Sequence, residues 1–385
     1  EQLPEPLSYA PTFTTRTAPD PVAVRQVAGL LREAHRPVIY AGQGIHYAQA
    51  WSELRMLAEL LSIPVATSLP GKSAFPEDHP LSLGSGGRAF PETVYRFLHD
   101  ADVILGIGCS FTRTPFGVTI PGGKTIIHAT LDPADLNKDI PAQYALVGDA
   151  KLTLEALLAE IQGLPQPAKA GWDGQAAAKI EAVRSQWLER WKPKLRSEET
   201  PLSPYRVIWD LMQVADRTDV IITHDAGSPR DMLSPFWTSL TPLSYIGWGK
   251  TTQLGSGLGF AMGAKLAQPD KLCIAVMGDA SIGMTGMDFE TAVRERIPIL
   301  VVVLKNSSMA CEIPIMQVAT AKFRSTDISG DYARLAQAMG GYGERVTQPG
   351  EIAPAIRRGI ERTKEGEPAL LEFITAKELA LSTFP

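Results

Sequence analysis

The feature that most constrains this chain is the spacing of its short, wholly apolar runs. CIAVM (273–277) and ILVVVL (299–304) have no polar face at all. A strand without a polar face has to be buried on both sides, which is the condition of a parallel sheet covered by helices. The stretches between such runs carry helical spacing. This alternation predicts helices over 21–34 and 48–61, strands over 37–41, 65–67, 102–107 and 125–129, and a closing helix over 152–161. After a Pro- and Gly-containing stretch (162–172) and a polar helix over 175–192, the pattern restarts. The second block reads as helix 205–215, strand 220–223, Gly-rich helix 257–267, strand 272–277, helix 287–294 and strand 299–304. A last helix over 353–364 and strand over 369–373 complete it. The expected fold class is α/β, two doubly wound parallel-sheet domains over 21–165 and 201–385, joined by a helix-containing linker over 166–200. Residues 1–20 hold four prolines and no periodicity, and read as an extended arm, a linker or a frayed terminus.

Composition narrows the function classes. At roughly 150 residues per domain, 385 residues allow two or three domains. Forty-two acidic against 37 basic residues argue against a nucleic-acid partner held through phosphates. The longest apolar run is a strand, far short of the roughly 20 residues of a membrane span. Cys109, Cys273 and Cys311 make neither a disulfide framework nor a CxxC site, so the expected compartment is a reducing cytoplasm.

The chemistry is expected at the C-terminal edge of the second sheet. The strand ending at 277 delivers Gly278-Asp279-Ala280-Ser281, and the strand ending at 304 delivers Asn306, 27 residues after Asp279. Ligands of open α/β sheets bind at that edge. One carboxylate, one amide oxygen, carbonyls and water suit a hard cation such as Mg2+, which also takes phosphate oxygens. On spacing alone, Asp279 as a turn cap is the alternative. Gly255, Gly257 and Gly259 let backbone approach a ligand closely, or serve helix packing. A third element, His224-Asp225-Ala226-Gly227-Ser228, follows a strand, with His224 either a turn histidine or a catalytic group.

Gly278-Asp279, a helix, an apolar strand and Asn306 together resemble the thiamine-diphosphate signature of the acetolactate synthase/oxalyl-CoA decarboxylase superfamily, and the likeness extends along the whole chain. Ala280 stands where the signature has its second glycine, and Lys305 where it has its first asparagine. The resemblance implies a middle domain over 21–165 and a pyrophosphate-binding domain over 201–385. It implies thiamine diphosphate, and Mg2+ held by Asp279, Asn306 and the main chain of Ser308. Cofactor contacts would come from Ala226, Gly227, Ser228, Gly278, Asp279, Ala280, Ser281, Asn306, Ser308, Ala310 and Cys311, with Leu254 wedged between the cofactor rings. The activating glutamate of the family lies on a pyrimidine-binding domain, so the resemblance implies that this domain comes from a further segment or another chain, within a homodimer or homotetramer.

Residues 278–293, GDASIGMTGMDFETAV, resemble most the 2-hydroxyacyl-CoA lyases, including those acting on 2-hydroxyisobutanoyl-CoA. Glu312 stands where many relatives have an apolar residue. It would take the proton of a substrate 2-hydroxyl during cleavage to a ketone or aldehyde plus formyl-CoA, and return it in condensation. As a plain residue it is a helix-start carboxylate favoured by the dipole. The rival readings are a 2-oxo-acid decarboxylating carboligase of the acetolactate synthase type and a non-catalytic half of a two-chain enzyme. In the middle domain, Gly42-Gln-Gly44 is half a dinucleotide fingerprint without its third glycine. The resemblance implies ADP there and, second to it, FAD, although Thr130 stands where the family often has an acid. The tail 377–385 is expected as a lid over the site.

Overall fold

The computed structural model describes residues 14–164, 171–248 and 253–385. Most of the expected N-terminal arm, part of the linker and part of the run from Trp248 to Leu254 lie outside these residues.

Both predicted sheets form, and each has six strands. In the first block they are β1 (Pro37–Ala41), β2 (Val65–Ser68), β3 (Ser82–Gly86), β4 (Val103–Ile107), β5 (Thr125–Thr130) and β6 (Tyr144–Val147). Their order is β3-β2-β1-β4-β5-β6 and every pairing is parallel. In the second block they are β7 (Val220–His224), β8 (Tyr245–Ile246), β9 (Leu272–Gly278), β10 (Leu300–Lys305), β11 (Tyr342–Val346) and β12 (Ala369–Ile374). Here the order is β11-β12-β10-β9-β7-β8, again all parallel. β1, β4 and β7 are buried along their whole length, as strands without a polar face must be.

The two orders place the switch points. In the first sheet the chain runs outward from β1 in one direction and from β4 in the other; in the second, β7 and β9 play these parts. The crevice outside the strand ends at such a point is where doubly wound sheets take ligands.

Four strands were not expected: β3, β6, β8 and β11. They are the four edges of the two sheets. The helix expected over 48–61 spans Trp51–Leu61, and an unexpected short helix, Gly44–Ala48, precedes it, the two separated where Gln49 takes a φ of 52°. A helix over Asp279–Thr285 precedes Asp288–Arg294, and another, Ser228–Phe236, follows β7.

The blocks are tied together by buried polar contacts. Lys72 Nζ lies 2.6 Å from Glu77, and Glu77 in turn accepts from the amide of Ser239 at 2.8 Å. Both charged groups are buried, so each depends on the other and on these bonds for the solvation it has lost. The tail is a strap between the blocks rather than the expected lid. Ser382 donates through Oγ to Phe90 O at 2.8 Å and its carbonyl accepts from Phe90 N at 2.9 Å, while Tyr205 donates to Ala380 O at 2.6 Å. Phe384 then stacks on Tyr95 at 5.3 Å. The tail is held by this side of the first block, which leaves none of 380–384 free to fold over the strand ends.

Candidate active site

At the second switch point the chain leaves β7 and enters Asp225, whose carboxylate is fully buried. Its oxygens accept from the amides of Ala226 at 2.8 Å, Gly255 at 2.9 and 3.0 Å, and Gly257 at 3.1 Å. One side chain thus fixes the loop after β7 and the start of the helix Ser256–Ala267, and through Gly255 it sets Leu254. Gly255 has a φ of 88°, and Thr285 Oγ1 donates to its carbonyl at 3.0 Å. Sequence reasoning did not single out Asp225. The signal was available: an acid directly after an apolar strand, with glycines thirty residues on.

The next residues start the helix Ser228–Phe236. Gly227 precedes it with a φ of 76°, and no side chain caps its first amides. A Cβ on Gly227 would meet nothing within 4 Å, so this glycine answers to its backbone conformation and opens onto space. An uncapped helix start facing a cavity favours an anion.

β9 and β10 deliver the other half. Leu304 pairs with Gly278, so Asp279 and Asn306 emerge side by side. Asp279 is buried; its Oδ2 accepts from Ser307 N at 2.5 Å and its Oδ1 from Ala280 N at 2.9 Å. Burial pushes this carboxyl above its ordinary value, and the amides of Ser307 and Ala280 oppose the shift. Asn306 Oδ1 accepts from Ser308 N at 2.9 Å. Ser308 Oγ is buried with no hydrogen-bond partner. Tyr332, which sequence reasoning missed, donates to Asp279 O at 2.9 Å and steadies the turn from behind.

A cavity of about 230 Å3 opens here. Its walls include every residue expected from the sequence: Ala226, Gly227, Ser228, Leu254, Gly278, Asp279, Ala280, Ser281, Asn306, Ser308, Ala310, Cys311 and Glu312. Ser228 Oγ and Cys311 Sγ are 3.0 Å apart and close the loop after β7 against the turn Ala310–Glu312. Half-buried Glu312 stands at the end of that turn. His224, by contrast, sits behind the loop with Nε2 buried and unpartnered, and burial pushes its pKa down to about 4. Arg88 and Phe116 of the first block also line the cavity, and the Arg230 guanidinium lies 5.0 Å from the Phe116 ring. Neither Arg88 nor Phe116 had a local signal, because each follows an irregular stretch at the end of its strand.

The donor set fits a hard cation with a diphosphate. Among the described residues no three His, Cys, Asp or Glu side chains converge on a metal position. A cation here would therefore draw on the Asp279 carboxylate, the Asn306 amide oxygen, the oxygens of Ser308 and those of a bound phosphate. The unpartnered Ser308 Oγ and the uncapped helix start at Gly227 are the two observations that such a ligand would satisfy.

Residues 24–157 match the family described as thiamine pyrophosphate enzyme, central domain. Residues 225–373 match the thiamine pyrophosphate enzyme C-terminal, thiamine-pyrophosphate-binding domain. The chain belongs to the thiamine pyrophosphate enzymes and carries these two of their domains. It is 30% identical to the probable acetolactate synthase large subunit of Methanocaldococcus jannaschii, over 100% of this chain and 65% of that protein. It is 27% identical to the acetolactate synthase isozyme 3 large subunit of Escherichia coli K12, over 93% of this chain and 62% of that protein. A third relative, the mitochondrial acetolactate synthase catalytic subunit of Saccharomyces cerevisiae, is 29% identical over 93% of this chain and 53% of its own length. The chain thus spans less than two-thirds of these relatives. Their names agree with the carboligase reading rather than with the 2-hydroxyacyl-CoA lyase favoured by residues 278–293. No helix among the described residues is long and apolar enough to cross a membrane.

Proposed function

We propose that this chain supplies the metal- and diphosphate-binding part of a thiamine-diphosphate-dependent carboligase acting on 2-oxo acids, of the acetolactate synthase kind. The observation that carries the reading is the convergence of Ala226–Ser228, Gly278–Ser281 and Asn306–Ser308 on one cavity at the second switch point. The relatives named above, matched over 93% or more of this chain, support the choice of reaction.

Thiamine diphosphate, when bound, supplies a nucleophilic carbon that then serves as an electron sink. The chain's own residues bind and orient. Asp279, Asn306 and Ser308 would hold Mg2+, the helix start at Gly227 and Ser228 would receive diphosphate oxygens, and Leu254 would fix the shape of the bound cofactor. Ala280, Ser281, Ala310 and Cys311 line the same cavity and would contact the cofactor. The activating carboxylate would come from a pyrimidine-binding domain, in a homodimer or homotetramer.

Glu312 favours a second reading. A carboxylate at the rim of the cavity suits proton transfer at a substrate hydroxyl, as a 2-hydroxyacyl-CoA lyase needs. The test is a turnover assay of the chain together with a pyrimidine-binding domain, on pyruvate and on a 2-hydroxyacyl-CoA, measuring carbon dioxide and formyl-CoA. Carbon dioxide from pyruvate without coenzyme A supports the carboligase. Formyl-CoA, lost in Glu312→Gln with cofactor affinity unchanged, overturns it in favour of the lyase.

A further inference from the structure

A second cavity, about 520 Å3 and so larger than the one at the second switch point, lies at the first switch point, between the ends of β1 and β4. This is the place at which the family resemblance implies ADP or FAD, and its chemistry is wrong for both.

A phosphate site in a doubly wound sheet draws on three devices: glycine-loop amides, a helix N-terminus and cationic side chains. Each is spent or lacking here. The Gly42 amide donates to Ile107 O at 2.8 Å, that of Gly44 to Gly108 O at 2.8 Å, that of Gly108 to Ala129 O at 2.9 Å, and that of Gly148 to Thr130 O at 2.9 Å. A Cβ on Gly42 would meet Gly108 O at 2.2 Å, so these glycines serve the approach of two loops to each other and not to a ligand. The 13-residue helix that starts at the cavity, Ala150–Gln162, is capped by its own carboxylate: Asp149 Oδ1 accepts from Lys151 N at 3.0 Å and from Leu152 N at 3.2 Å.

Among the described residues that line the cavity, the charged ones are Asp132, Asp135 and Asp149, with no lysine or arginine. Two surface cations reach the acids from outside the cavity wall, Lys138 to Asp135 at 3.9 Å and Arg16 to Asp149 at 3.8 Å, both about half exposed. Asp132 spends one oxygen on the amide of Ala134 at 2.9 Å and keeps its charge beside the opening.

We propose that this cavity rejects diphosphate nucleotides, ADP and FAD alike, and that what enters it is neutral or cationic. A diphosphate would face three carboxylates with no lysine or arginine among the described lining residues to offset them. An uncharged ring, on the other hand, finds the exposed side chains of Tyr47 and Leu131 on the cavity wall and hydroxyls within.

The experiment is isothermal titration of the chain with ADP, FAD and adenosine, which shares its ring and ribose with ADP but carries no charge, together with absorbance of the protein as purified. The expected result is no co-purifying flavin or nucleotide, and an affinity for adenosine at least about tenfold above that for ADP. The double variant Asp132→Asn, Asp135→Asn, which leaves the Asp149 cap intact, is expected to tighten ADP by about tenfold or more. Stoichiometric co-purified FAD or ADP, ADP binding tighter than adenosine, no saturable adenosine binding, or an unchanged ADP affinity in the double variant would each overturn the proposal.

Discussion

Replacing Asp225 with asparagine is the sharpest test of how the site is held together. The carboxylate is fully buried and receives three amides, from Ala226, Gly255 and Gly257, at 2.8 to 3.1 Å. Asparagine keeps the shape but turns one acceptor oxygen into an NH2 group, which then faces the amide of Gly257 or that of Ala226. At least one hydrogen bond to a charged group is lost, worth about 1.5–3 kcal/mol, and a buried amide is left without an acceptor. The favourable position of a negative charge at the start of the helix Ser256–Ala267 adds about 0.5 kcal/mol. The sum is about 3 kcal/mol, which at about 2–4 °C per kcal/mol for a domain of this size lowers the melting temperature by about 6–12 °C. Differential scanning calorimetry of the parent and Asp225→Asn measures it. A thiamine diphosphate titration should also show weaker binding, because Leu254 is positioned through Gly255. A variant that melts within about 2 °C of the parent would refute the claim that this carboxylate anchors both loops.

His224 predicts a pH dependence. Its folded pKa is pushed by burial from 6.5 down to about 4, so the unfolded chain binds the proton more readily. The stability that follows is therefore present above about pH 6.5 and is lost as pH falls toward 4. At 1.36 kcal/mol per pKa unit the loss between pH 7 and 4.5 is about 2.5 kcal/mol, and urea unfolding of the parent against His224→Asn should show it shrinking in the variant. Equal losses in the two proteins would assign the acid sensitivity to another group. For the strap, Ser382→Ala removes the acceptor of Trp187 Nε1 at 3.0 Å and the donor to Phe90 O, for an expected loss of about 2 kcal/mol in urea unfolding. An unchanged midpoint would mean that the tail is not fastened to the first block in solution.

The sequence carried the interior of each sheet and missed its borders, for one physical reason. Central strands such as β9 and β10 are covered on both faces and so have to be apolar, which makes them legible as unbroken runs. The edge strands read SLGSG, YALV, YI and YGERV: β3 and β11 are interrupted by glycine, serine or charge, and β6 and β8 are only four and two residues long, so their patterns carry little signal. The cost fell on the site: Arg88 follows an edge strand, β3, and the first block's contribution to the cavity went unseen. Asp279 and Asn306 were placed from the ends of their apolar strands, the 27 residues between them and the family resemblance. Asp225 and Tyr332 act by supporting loops that others line, and such a role is set by distances the sequence does not contain.

One architecture is used twice in this chain, and the two copies differ in what their crevices leave open to a ligand. Both present glycines after the first strand of the pair, and both have a helix starting at the crevice. In the first block the glycine amides end on main-chain carbonyls and the helix start on the carboxylate of Asp149, so the loops are closed to an anion before any ligand arrives. In the second block the amides of Gly255, Gly257, Ala280 and Ser307 are held by the carboxylates of Asp225 and Asp279, and the helix start at Gly227 is left uncapped. Each carboxylate oxygen has two acceptor sites, so Asp279, with one amide on each oxygen, keeps capacity and charge for a cation, which the neutral carbonyls paired inside the first block's loops do not offer. The difference between the two crevices therefore turns on single acids: Asp225 and Asp279 take loop amides in one block, and Asp149 takes helix-start amides in the other.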